Sequence, residues 1–341
     1  MGIPMKRRAL LAWPLTGTLG PGIWSPRRAH AQTPAMAAPR APVEWTLPFR
    51  LSGPLVRHLL DQIGSRLPAG HLIDERSGAN GSLAIRHALQ DHAGATRVLV
   101  STTSTTFFSA LFPGSETFVR SQVFSGLGRM AEVPLVLVAR AALADRIGAL
   151  RRWEPQAYRG LSMATSPPPG FLYFAAHLLE EITATPLLKV PYPGGFILPV
   201  IKGEVDLAML PLDGAIASID SGQALPVAVA AGQRLGRLDK VPTFRELGRD
   251  LVLKVSYDLL VGAAWQRPEM RFMNQALNQV LADEALRTRC ASQGLQLAPP
   301  QTLAEHERVL REEDAFWAPR IQAFGRQPGA LPSAQRPREA T

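Results

Sequence analysis

The sequence predicts an α/β fold, with two mixed, mostly parallel sheets flanked by helices and shared between two lobes. Three observations predict it. Short β-branched runs alternate with amphipathic stretches of helical spacing through the middle of the chain. At 341 residues the chain exceeds one average domain, so two sheets suit it better than one. A hydrophobic content of 46% excludes a mainly disordered protein, and 30 prolines and 28 glycines supply the turns.

The elements follow in order. Residues 44–49 (EWTLPF) read as the first strand. Residues 54–67 follow as a helix carrying Leu55, Val56, Leu59, Leu60, Ile63 and Leu67 at helical spacing. Residues 71–76 (HLIDER) are strand-like, and a Gly-rich turn at 78–81 leads into the helix SLAIRHALQDH. TRVLVST (96–102) and VPLVLVA (133–139) are buried strands by their β-branched content. A helix near 141–151, strand 158–165, helix 170–182, strand 186–192, helix 194–202, strand 206–211, helix 213–220 and strands 225–231 and 251–265 come next. Two long helices, 268–291 and 302–324, close the fold. Gly294 stops the first and Pro319 kinks the second.

The formal net charge of +9 sits at the ends. Residues 1–31 hold Lys6, Arg7, Arg8, Arg27 and Arg28 and no acid, and the tail adds Arg326, Arg336 and Arg338. Residues 41–324 are nearly neutral, which excludes nucleic acid as the main partner. Lys6-Arg7-Arg8, the apolar stretch 9–24 and Ala29-His30-Ala31 read as an export signal (1–31) cleaved near Ala31. KRRALLA is similar to a twin-arginine signal. The other reading is a basic N-terminus of a cytoplasmic protein. Residues 32–43 read as a flexible leader and 326–341 as a disordered Pro/Ala/Gln/Arg-rich tail. A single cysteine, Cys290, excludes a disulfide framework and a Cys-rich metal site.

Ligands of parallel α/β sheets lie beyond the carboxyl ends of the strands. After the first strand stands Arg50-Leu51-Ser52-Gly53-Pro54. After RVLV stands Ser101-Thr102-Thr103-Ser104-Thr105-Thr106. After GLSM stand Ala164-Thr165-Ser166, three prolines and Gly170. Each loop is small and hydroxyl-rich and precedes a helix, whose free N–H groups and partial positive charge can hold an anion without a lysine. The same residues also read as plain helix caps. Arg50 either grips a carboxylate in bidentate fashion or points into water. Asp206 and Asp213 bracket a strand end, as acid/base groups or as caps. Walker, His-Glu-x-x-His and Gly-x-Ser-x-Gly motifs are absent, and Gly126-Leu127-Gly128 precedes a strand rather than opening a nucleotide-binding helix. His58, His71, His87, His92, His177 and His306 are scattered, most of them expected at surfaces or lobe edges. His87 and His92 lack the spacing that aligns metal ligands on a helix. No catalytic residue, cofactor or metal is predicted.

Several segments together carry a resemblance. TLPFRLSGP, DERSGANGSLA, VPYPGG, KGEVDLAML, SGQALPVAVAAGQRLGRLDKVPTFRELG and the closing helices from LADEALRTRC to REEDAFW occur in the order and spacing of one family. The chain resembles the Bug (TctC-like) family of periplasmic solute-binding receptors of tripartite tricarboxylate transporters, over roughly residues 44–325. The resemblance implies a type II-like two-lobed periplasmic-binding-protein fold. Lobe 1 would be 44–139 with 258–325, and lobe 2 would be 140–257, hinged near 139–141 and 257–260. It implies that Phe49, Ser52, Gly53 and Ser101 to Ser104 face Thr165, Ser166 and Gly170, with Met209 and Pro211 nearby. Arg50 and Asp213 join these on the residue reading above. It implies a monomeric, non-enzymatic periplasmic receptor whose partners are a small organic carboxylate and a membrane permease. The rival expectations are a receptor that signals to a sensory partner and an α/β enzyme with Asp213 or a histidine as base. Val56, Pro167 to Pro169, Pro193 and Leu210 depart from the family pattern. Fewer polar groups in the site favour a more apolar monocarboxylate over citrate.

Overall fold

One strand belongs to two sheets, and the rest of the architecture is arranged around it. The computed structural model describes residues 36–49, 54–78, 81–90, 96–108 and 123–326. The expected signal and nearly all of the tail lie outside these residues. The strands are β1 (Val43–Leu47), β2 (His71–Glu75), β3 (Thr96–Thr102), β4 (Ser125–Arg140), β5 (Ser162–Thr165), β6 (Leu188–Pro191), β7 (Leu207–Pro211), β8 (Ala224–Val229), β9 (Lys254–Val261) and β10 (Gln296–Leu297). The longer helices are α1 (Pro54–Gly64), α2 (Ser82–Leu89), α3 (Phe171–Thr183), α4 (Arg267–Leu281), α5 (Glu284–Ala291) and α6 (Leu303–Gly325).

The first sheet runs β2-β1-β3-β9-β4, with β10 on the far side of β4. The second runs β6-β5-β7-β4, with β8 also on β4. Residues 125–134 of β4 pair with β9, and from Leu135 onward the strand pairs with β7 and β8. The return is marked by the Leu135 amide donating to Leu253 O at 2.9 Å, just before β9 begins. The partner change therefore falls at 134–135 and 253–254, a few residues earlier than the crossings expected near 139–141 and 257–260. A continuous apolar run hides it, because burial on both faces gives the same composition on either side of the switch.

Within each sheet the outer strands are parallel, β1 with β2 and β3, and β5 with β6 and β7. The strands that carry the chain between sheets, β4 and β9, run antiparallel to their neighbours. The sheets are thus mixed, with the antiparallel pairs concentrated around β4.

Alternation on β1 turns Val43, Trp45 and Leu47 into one core with Leu59, Leu60 and Ile63 of α1 and Met273, Leu277 and Val280 of α4. A second core joins Leu137 and Ala139 of β4 to Met163, Met209 and the α3 face Phe171, Phe174, Ala175 and Leu179, closed by Trp317 of α6. Burying such faces, at about 25 cal/mol per Å² of apolar surface, is what holds the layers together.

Some elements differ from expectation for local reasons. Gly126-Leu127-Gly128 lies inside β4 rather than before a strand. A Cβ on Gly126 would stand 2.3 Å from His306 Nδ1, and one on Gly128 would stand 2.4 Å from Leu277 Cδ2. The glycines let α4 and α6 approach the strand, which also shifts register there. The expected helix 268–291 is two helices, because Asp283 caps the second by accepting from Leu286 N at 2.9 Å. The stretch 158–165 begins as a helical turn, Pro155–Tyr158, and becomes a strand only at Ser162. Helix α6 continues through Pro319 in one run. No helix among the described residues is long and apolar enough to cross a membrane.

Candidate functional site

The carboxyl ends of β1, β3, β5 and β7 position the residues singled out by the sequence. Phe49, two residues past β1, is partly buried and meets the Tyr257 ring edge-on at 5.8 Å. Arg50, Ser52 and Gly53 lie outside the described residues. On β3, Ser101 and Thr102 are buried, and so is Thr103 just beyond; the first two hydroxyls are engaged within the loop and the third with β9. Ser101 Oγ pairs with Thr106 Oγ1. Thr102 Oγ1 meets Thr105 Oγ1 at 2.9 Å and accepts from Thr105 N at 3.2 Å. Thr103 Oγ1 meets Ser256 Oγ at 3.1 Å and accepts from Ser256 N at 3.0 Å. Ser104 is half-buried at the start of the single helical turn Ser104–Phe108. These hydroxyls brace the turn against β9.

The second sheet offers a different picture. Thr165, the last residue of β5, is fully buried, and its Oγ1 has no hydrogen-bond partner. Ser166 Oγ accepts from Tyr173 N at 3.2 Å, so it caps one amide of the first turn of α3. Gly170 is the N-cap of α3, and a Cβ there would stand 2.4 Å from Ser166 Oγ. The helix itself supplies no acceptor for the amides of Phe171 and Leu172. These donors thus follow the unpartnered Thr165 hydroxyl by six and seven residues, across a loop that Ser166 ties to the first turn of the helix. Pro167 to Pro169 supply no N–H, so the donors of this loop come from the helix rather than from the turn.

Met209 is wholly buried in the second core, and Pro211 is half-buried at the end of β7. Asp213 follows in the turn Leu212–Gly214 and takes Gly214 N–H on Oδ1 at 2.9 Å. Burial pushes its carboxyl above the usual carboxylate range. Burial likewise raises the Tyr257 phenol, and the Asp213 charge raises it further. The sequence places Tyr257 at a crossing and gives no sign that it neighbours the candidate residues Phe49 and Asp213. No local pattern signals it, since it reaches Phe49 and Asp213 only through the fold.

Asp206 is neither an acid/base group nor a helix cap. Its Oδ2 accepts from Ser162 N and Ser162 Oγ, both at 2.8 Å, and its Oδ1 pairs with Arg140 at 2.8 Å. It ties together the starts of β5 and β7 and the end of β4, at the opposite edge from Asp213. His306, one of the scattered histidines, is fully buried, because its Nε2 reaches Asp258 Oδ1 at 2.9 Å. Among the departures, Val56 and Leu210 are core residues and Pro193 is exposed.

Among the described residues, one group of three metal-ligating side chains comes together: Glu44, Asp74 and His87. Arg97 lies 3.7 Å from Glu44 Oε2 and Arg76 lies 2.5 Å from Asp74 Oδ2, so arginines already balance both carboxylates.

No family model matches the chain. A UPF0065 protein of Agrobacterium vitis is 25% identical over 318 residues, covering 87% of this chain and 88% of that protein. The malate-bound MatC of Rhodopseudomonas palustris aligns with a TM-score of 0.72 at 21% identity, covering 83% of this chain and 99% of MatC. The periplasmic binding protein BugD aligns with a TM-score of 0.73 at 19% identity, covering 84% of this chain and 98% of BugD. Strand order, the shared strand β4 and these alignments agree: the chain has the two-lobed fold of the Bug (TctC-like) periplasmic binding proteins, as its motifs implied.

Proposed function

We propose that this protein is an exported, periplasmic receptor that captures a small organic carboxylate between two lobes and hands it to a membrane permease of the tripartite tricarboxylate type. The reading is of a binding protein rather than an enzyme, in keeping with solved relatives named as binding proteins. The observation that carries it is the Thr165 hydroxyl, fully buried and unpartnered at the entrance to α3. A buried hydroxyl without a partner costs about 1–3 kcal/mol, so a fold that keeps one on the loop leading to free helix amides gains if an anion bridges them. Malate bound to MatC supports a carboxylate as the class.

The lobes would be the two sheets with their helices, and the hinge the two strand crossings at 134–135 and 253–254. Ligand contacts made from both lobes only in the closed form shift the population toward closure.

A thermal-shift screen of the mature chain against small carboxylates tests this. At 100 times Kd, binding adds about 2.7 kcal/mol, which raises Tm by roughly 5–10 °C at this size. Thr165→Val should weaken the best ligand about tenfold while leaving the ligand-free Tm equal or higher, because it removes an unsatisfied group. No shift with any carboxylate, or undiminished binding by Thr165→Val, would count against the proposal.

A further inference from the structure

Asp213 places an unneutralised carboxylate beside a proposed anion site. It leaves the carboxyl end of β7, and β7 runs parallel to β5, with Ala164 opposite Ala208. Neighbouring strands lie about 4.8 Å apart, so the loop into α3 and the Asp213 turn leave the same edge of the sheet side by side. Asp213 is near enough to Tyr257 for its charge to raise the phenol, and the Tyr257 ring meets Phe49 at 5.8 Å. The backbone of the turn packs against Gly294, where a Cβ would stand 3.2 Å from Asp213 N and 2.7 Å from Leu212 Cγ. The carboxylate receives the Gly214 amide on Oδ1. No lysine, arginine or histidine among the described residues pairs with it.

Like charges brought together in a partly desolvated cleft repel. A simple dicarboxylate held at the α3 end would bring a second negative charge toward Asp213. A ligand with an ammonium group turns the same carboxylate into an attractive contact. The aromatic edge of Phe49 and Tyr257 adds an apolar wall for the body of such a ligand.

From this juxtaposition the geometry points to Asp213 as a specificity-determining residue that receives the ammonium group of an amino carboxylate, whose carboxylate is held at Thr165 and the first turn of α3. This rests on the receptor reading above. Burial pushes the Asp213 carboxyl upward, and an ammonium partner would reverse that shift.

The test is calorimetric titration of the mature chain with matched pairs: phenylalanine and 3-phenylpropionate, leucine and 4-methylpentanoate, glutamate and glutarate, aspartate and succinate. The expected result is at least one pair in which the amino acid binds about 10-fold tighter or better, with Asp213→Asn bringing that pair within about 3-fold. The wild-type comparison stands even where the variant folds poorly. Des-amino acids that bind as well as or better than their partners in every pair overturn the inference and leave the receptor reading intact. So does an amino-acid preference that survives in folded Asp213→Asn. If no member of either series binds, the receptor reading falls and takes the inference with it.

Discussion

Arg129 on β4 spreads its guanidinium over three carboxylates. Nε donates to Asp258 Oδ1 at 2.9 Å, Nη2 reaches Asp258 Oδ2 at 3.2 Å and Glu313 Oε1 at 2.7 Å, and Nη1 donates to Glu132 Oε1 at 2.7 Å. Lys254 Nζ shares Glu132 at 2.6 Å, and His306 completes the shell on Asp258. The group links β4, β9 and α6 just below the strand crossings. It has the outline of a His–Asp pair, but among the described residues no nucleophile meets it: His306 Nδ1 is buried, unpartnered and turned against Gly126. Burial alone would raise the Asp258 carboxyl; the Arg129 charge and the His306 hydrogen bond outweigh it and hold the carboxyl well below its usual range. A carboxylate depressed in the folded state contributes stability above its unfolded pKa of about 3.9, and that contribution is lost as pH falls further. Asp258→Asn should therefore lower stability by about 3–5 kcal/mol at pH 7, because it strands the buried Arg129 charge. It should also flatten the fall in Tm between about pH 5 and pH 3. Unfolding curves with the same acid slope as wild type would contradict this. Nothing in the sequence joins positions 129, 258 and 306, because a buried ion network is assembled only by tertiary pairing. Asp213 was visible, since it follows a strand end, but its neighbour Tyr257 was not.

Among the elements, β4 departs most from its sequence signal. Its second half announces itself by VPLVLVA. Its first half is hidden behind Gly126 and Gly128, which composition reads as a break and the fold uses as a landing for helices. Small residues at close approaches look like turns until the partner is known. Gly126→Ala tests that account: its Cβ would meet His306 Nδ1 at 2.3 Å and Leu310 Cδ1 at 2.9 Å, and both belong to α6. Overpacking of this kind costs typically 1–3 kcal/mol, so the urea midpoint should fall while far-UV dichroism stays near wild type. A midpoint within error of wild type would show that α6 does not press on β4 there. The split between α4 and α5 was readable in principle, since Asp283 followed by Glu284 is a helix-start pattern. The apolar spacing on both sides concealed it.

For the whole molecule, strand–helix alternation was enough to fix the fold class, because it follows from how parallel units must pack; the proposed site at the strand ends rests on the same packing rule. The sequence placed the crossings near 139–141 and 257–260; which sheet each half of β4 serves emerges only from the pairing, which changes at 134–135 and 253–254. On the function proposed above, the two crossings, at 134–135 and 253–254, would be the joints of closure, with the Glu132–Lys254 ion pair beside them. Closure about these joints should make the molecule smaller without altering its secondary structure. Small-angle X-ray scattering of the mature chain, with and without a saturating carboxylate taken from the thermal screen, measures this directly. A lower radius of gyration with ligand, reduced or absent in Thr165→Val at the same concentration, is the result expected. Superimposable scattering curves at full occupancy would contradict capture of the ligand by closure of two lobes.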